Sequence, residues 1–135
     1  MSDKKHARAV ILFAHGSRDP LWRRPIEAVA DQIKLISPYI EVTCAYLELT
    51  EPDLPSTVAR LVQSGVNDIR IVPMFLGVGR HAREDLPLLM QDLIAKHPEI
   101  SFELRKAIGE EAELTLAMAH IALRSTGESN AFSIQ

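Results

Sequence analysis

The sequence predicts an α/β fold: a three-layer α/β/α sandwich around a four-stranded parallel sheet in the order 2-1-3-4. Three observations carry this. Apolar runs of strand length alternate with amphipathic stretches of helix length along the whole chain. The first and third runs are apolar on both faces, as strands in the middle of a parallel sheet are. Four such β-α units in a row, joined by right-handed crossovers, most commonly give that order, with a switch point between strands one and three. With 135 residues, the chain is long enough for one domain with a core and too short for two ordinary ones.

Residues 9–14, Ala-Val-Ile-Leu-Phe-Ala, form the first strand, and His15-Gly16-Ser17-Arg18-Asp19-Pro20 a loop. A helix is expected over residues 21–36, with Ile26, Val29, Ile33 and Ile36 at the three- and four-residue spacing of one buried face. Ser37-Pro38 stops it. Residues 41–47 alternate and are rich in β-formers, so they read as the second strand. Pro52 and Pro55 mark the entry to a second helix, which carries Val58, Leu61 and Val62 up to a capping Gly65. Residues 68–76 form the third strand, 77–80 a flexible loop and 82–96 a helix that ends at His97-Pro98. A more polar fourth strand over 100–106 suits a sheet edge, and residues 110–123 form the last helix. The plan is a polar lead over 1–8, a single domain over 9–124 and a polar tail over 125–135, expected to fray.

Composition removes several classes of function. A formal charge of -3 offers no basic footprint for nucleic acid, and 5% aromatics are too few for a base-stacking platform. Cys44 is the single cysteine, so neither an intrachain disulfide nor a thiolate zinc cluster can form. The charged start and the short apolar run after it match neither a signal peptide nor a membrane span. A soluble protein of the reducing cytoplasm is expected.

In the order 2-1-3, neighbouring strands lie about 4.8 Å apart, and ligands of such folds bind beyond the carboxyl ends of the strands. His15 follows strand one, Glu48 follows strand two and His81 lies a short loop after strand three. The three side chains are thus expected to converge. Two imidazoles and a carboxylate suit a borderline divalent ion such as cobalt, iron, nickel or zinc, and three protein ligands leave positions open for chemistry. A histidine after a strand ordinarily serves as a hydrogen-bonding loop residue. Here Gly16-Ser17 beside His15, and Gly77 and Gly79 before His81, let the backbone approach a bound group. Glu48 has Glu51 and Asp53 close by, and any of the three can be solvated or cap the next helix. His6, His97 and His120 are given ordinary structural roles, and Cys44 a place in the core.

The motifs Phe13-Ala14-His15-Gly16-Ser17-Arg18-Asp19-Pro20, Tyr46-Leu47-Glu48, Pro73-Met74-Phe75-Leu76-Gly77, His81 and Arg83-Glu84-Asp85-Leu86-Pro87 resemble the class II tetrapyrrole chelatases. The closest likeness is to the short sirohydrochlorin chelatases of the CbiX-short and SirB kind. It runs from about residue 9 to 123, and its specificity lies in both histidine motifs occurring at the right separation. The resemblance implies insertion of cobalt or iron into sirohydrochlorin, on the routes to cobalamin and sirohaem. It also implies His15 and His81 as metal- and proton-handling residues, with Glu48 assisting. Longer members carry two such halves, so this half-domain resembles the forms that build a cleft by homodimerisation.

Sirohydrochlorin carries carboxylates, for which Arg18, Arg80 and Arg83 are the candidate partners, with Ser17 as a hydrogen-bond donor. Arg23 and Arg24 are second-tier. The divalent metal (Co2+, Fe2+ or Ni2+) is a substrate, and no organic cofactor is expected. The loop Gly77-Val78-Gly79-Arg80-His81-Ala82 departs from the commoner Gly-Pro-Gly-Gly-His-Val, with Arg80 in place of a glycine. A non-catalytic tetrapyrrole or metal carrier is the alternative reading. A histidine phosphatase is a minor one, weakened because Ala14 stands where that chemistry wants an arginine.

Overall fold

The structure, a computed structural model, describes residues 7–125. Its elements are β1 (Arg8–Ala14), α1 (Arg24–Ile36), β2 (Glu41–Tyr46), α2 (Leu54–Gln63), β3 (Asp68–Pro73), α3 (Arg80–Lys96), β4 (Ser101–Leu104) and α4 (Ala112–Leu123). A 3-10 turn over Ile108–Glu110 precedes α4. The sheet is parallel throughout, in the expected order β2-β1-β3-β4. Ala9 pairs with Glu41 on one side and Ile69 on the other, which brings the carboxyl ends of β1, β2 and β3 level with one another.

Pleating divides the side chains of β1 between two layers. Ile11 and Phe13 join Ile69, Ile71 and Ala45 beneath α2 and α3, in a core closed by Val58, Leu61, Leu86 and Leu93. Val10 and Leu12 face the other way, with Val42, Val72 and Met74, toward α1. That second layer is thin: Ala30 is the one buried residue of α1.

Several boundaries differ from the sequence reading. α1 begins at Arg24 rather than residue 21, because Pro25 presets the first turn. The residues before it close as turns, Trp22 N–H donating to Asp19 O at 3.0 Å. β3 ends at Pro73 rather than residue 76, and α3 begins at Arg80 rather than residue 82. β4 is four residues, shorter than expected. Ile26 and Ile33 do pack from α1, but Val29 and Ile36 of the expected buried face are exposed. Among the described residues, α4 contributes no buried residue to this side of the sheet. His6 and the tail beyond residue 125 lie outside the described residues.

Candidate functional site

The site is built at the carboxyl ends of β1, β2 and β3. Past Ala14 the ladder with β2 continues: Leu47 N–H donates to Ala14 O at 2.9 Å and Glu48 N–H to His15 O at 3.0 Å. His15 and Glu48 are therefore backbone neighbours, although 33 residues apart. Gly16 makes this crossing possible. Its φ is +102°, and a Cβ there would run into the Glu48 carbonyl. The sequence reading assigned this glycine to the approach of a bound group. The structure assigns it to the approach of the β2 loop. Leu49 turns that loop at φ 65°, and Thr50 ties it back. The Thr50 hydroxyl accepts from Ser17 N–H at 2.9 Å and donates to Ser17 O at 2.7 Å.

On the other side, Phe75 lies 5.0 Å from the His15 ring, with the planes tilted by 43°. Phe75 is itself buried and edge-on to Phe13 at 6.2 Å. It supports the imidazole on one side, and the ring remains exposed. His81 lies not in a loop but in the first turn of α3, also exposed. Glu48 is exposed as well. Among the described residues, no three His, Cys, Asp or Glu side chains form a metal-holding group. His15, His81 and Glu48 all lie at the carboxyl end of the sheet, on exposed positions. Of the three, His15 is held on one side by Phe75.

The candidate cations have separate surroundings. Arg18 is exposed beside Ser17. Arg80 pairs with Glu84 one helical turn on, at 3.4 Å. Arg83 donates from Nη1 to Val78 O at 2.7 Å, so it clasps the loop that leads to His81. Arg23 pairs with Glu27 at 3.2 Å. Ser17 accepts from Asp19 N–H at 3.1 Å, which makes it a loop residue rather than a helix cap. Of the three acids near the end of β2, Asp53 is the helix cap, accepting from Ser56 N–H at 2.8 Å. Those hydrogen bonds to Ser56 hold its carboxyl below the ordinary range.

A groove of about 810 Å3 opens beside Ser17 and Arg18, along the β2 edge, with Arg23, Lys34, Cys44 and Tyr46 among its lining. Neither histidine lines it. Burial pushes the Cys44 thiol up, and burial with Cys44 and Glu27 nearby pushes the Tyr46 phenol up to about 12. Cys44 is half-buried on the α1 face, in partial accord with its expected core position. Thr50 and Phe75 were not foreseen as site residues. Phe75 stood within a quoted motif, and Thr50 repeats from Ser17 the 33-residue offset of His15 to Glu48.

The family model described as CbiX matches residues 9–124. The chain belongs to the CbiX family. It is 35% identical over 82 residues to a sirohydrochlorin cobaltochelatase of Methanopyrus kandleri, a match covering 61% of this chain and 57% of that protein. The match thus spans less than two thirds of that relative. The crystal structure of a CbiX protein from Marinobacter aquaeolei VT8 superposes with a TM-score of 0.74 at 35% identity, covering 85% of this chain and 93% of that one. The sirohydrochlorin chelatase SirB of Bacillus subtilis subspecies spizizenii, solved in complex with cobalt, gives 0.71 at 26% identity, covering 84% of this chain and 48% of SirB. Both structures share the fold described above.

Proposed function

We propose that this CbiX-family chain is a chelatase that inserts a divalent metal, cobalt or iron, into sirohydrochlorin or a close tetrapyrrole. The observation that carries the reading is the pair of exposed imidazoles, His15 at the end of β1 and His81 in the first turn of α3, at the ligand-binding end of a sheet. The names of the curated relatives supply the substrate class.

Insertion removes waters from the ion and two N–H protons from the ring. A neutral imidazole can ligate the ion or accept a proton near neutral pH. His15 and His81 share these tasks in the proposal, the protons passing from ring nitrogen to imidazole nitrogen and then to water. Glu48 assists by ligation or relay. Arg18 and Arg80, with Arg83 and Ser17 beside them, meet the substrate's carboxylates. The metal is substrate, and no organic cofactor takes part. Because one chain forms no three-ligand group among its described residues, a second copy of the chain facing this end of the sheet completes the cleft. No helix among the described residues is long and apolar enough to cross a membrane, which fits a cytoplasmic enzyme.

The test is anaerobic mixing of the protein with sirohydrochlorin and cobalt(II) or iron(II), followed by the tetrapyrrole absorption. Insertion above the protein-free rate, lost in a His15→Ala, His81→Ala double variant, is the expected result. A spectral shift on binding with no faster insertion would establish a carrier instead.

A further inference from the structure

The loops that follow β2 and β3 each show a leucine to water beside the site. Leu49, one residue past Glu48, is 55% exposed, and Leu76, one residue past Phe75, is 68% exposed. A lone exposed leucine on a loop is ordinary. These two are set apart by how their backbones are held. Gly16 packs against the Glu48 peptide, where an added Cβ would run into the Glu48 carbonyl. Gly109, in the 3-10 turn before α4, packs in the same way against Leu76, and an added Cβ there would run into the Leu76 carbonyl and Cα. Gly109 N–H also donates to Phe75 O at 2.9 Å. Gly77 and Gly79, between Leu76 and His81, have open space where a Cβ would stand. The close approaches therefore fall on the two stretches of backbone that present the leucines.

Leu49 is strained as well. Its φ of 65° makes it the one non-glycine residue with positive φ among the described residues. Leucine rarely adopts that conformation, and glycine or asparagine would turn the loop at less cost. Its exposed side chain gains little burial within its own chain to offset the strain. Leu49 instead lines the groove of about 810 Å3 that opens beside Ser17 and Arg18. Because β2 and β3 flank β1, the two leucines leave the sheet on either side of His15. An apolar pair on immobile backbone, around an imidazole and beside an exposed arginine, suits a flat ligand with an apolar centre and an anionic rim.

We propose that Leu49 and Leu76 form an apolar seat that holds the tetrapyrrole plane over His15, Leu49 at the cost of backbone strain. The proposal rests on the chelatase reading above and names residues that bind the ring itself.

The experiment compares the full chain with its Leu49→Gly and Leu76→Ser variants, each checked for unchanged circular dichroism. Anaerobic titration with metal-free sirohydrochlorin, followed by its absorption, should show each variant binding about tenfold more weakly, as loss of one buried leucine contact predicts. The KM for cobalt(II), measured at saturating sirohydrochlorin, should stay within about twofold, since neither leucine touches the ion. Leu49→Gly should also raise the urea midpoint, because glycine adopts a positive φ freely. A gain in stability with a loss of binding is a pairing that a merely structural leucine would not give. A lowered midpoint would overturn the role given to Leu49, and undiminished binding would overturn the whole proposal. So would a changed sedimentation coefficient, which would assign the leucines to contact between copies. If the unsubstituted protein inserts metal while both variants bind as tightly, the proposal alone falls. If it binds no sirohydrochlorin, the chelatase reading falls with it.

Discussion

The two faces of the sheet are made from adjacent residues of the same strands and have ended in different states. Beneath α2 and α3, Ile11, Phe13, Ile69 and Ile71 meet Leu61, Leu86 and Leu93 in one continuous core. On the α1 side, Leu12, Ala30 and Val42 are buried, while Val10, Val72 and Met74 are only partly covered. Alternation in the strands does not cause the difference, because both sets are apolar. What differs is the covering layer. α2 and α3 each send a row of large side chains down onto the sheet, whereas among the described residues α1 buries only Ala30 on its side and α4 buries nothing. An apolar face is finished only when two helices pack on it side by side.

The largest effects belong to the closed face. Leu61→Ala or Ile71→Ala should lower unfolding stability by about 3 kcal/mol, the usual cost of a cavity in a packed core. Val10→Ala on the open face should cost about 1 kcal/mol or less. Urea midpoints measured in parallel give the comparison, and equal losses would erase the distinction between the faces. Gly16→Ala comes next, at about 2 kcal/mol, since it puts an alanine at positive φ against the Glu48 carbonyl. The same variant should lose metal insertion, because it moves the backbone that ties His15 to Glu48.

Asp53→Ala should cost about 1 kcal/mol at neutral pH through loss of the α2 cap. The Asp53 carboxyl is held below its ordinary range, so its contribution is full above the unfolded carboxylate pKa and fades as pH falls through the lower folded value. Denaturation at pH 7 and again below pH 3 should show the variant's deficit shrinking. The smallest effect is expected at Leu116→Ala: within about 0.5 kcal/mol in dilute solution, where the residue is exposed.

Much of the site can be read along the chain, because its parts sit at strand ends. The motif around His15 marks where β1 stops, and the second histidine motif marks where α3 starts. Sheet order follows from four β-α units in succession, and it brings the ends of β1, β2 and β3 together. Less legible were the roles within the loops. Gly16 looked like room for a ligand and is room for the neighbouring loop. Arg83 looked like a free carboxylate partner and clasps Val78 O. Thr50, which fastens the two loops through one hydroxyl, carries no signal of its own beyond the repeated offset.

Local pattern alone determined the fold class, the strand order and the end of the sheet where chemistry belongs, because periodicity and βα connectivity are properties of the chain read in order. The tertiary structure decided which apolar surfaces find a partner. The spacing of Ile26, Val29, Ile33 and Ile36 specifies a stripe on α1, and it holds no information on whether a second helix lies alongside to cover it. Among the described residues, the inner half of that stripe is packed and the outer half, at Val29 and Ile36, is exposed. Burial depends on what approaches from elsewhere in the molecule, or from a second one, and that is settled only when the surfaces meet.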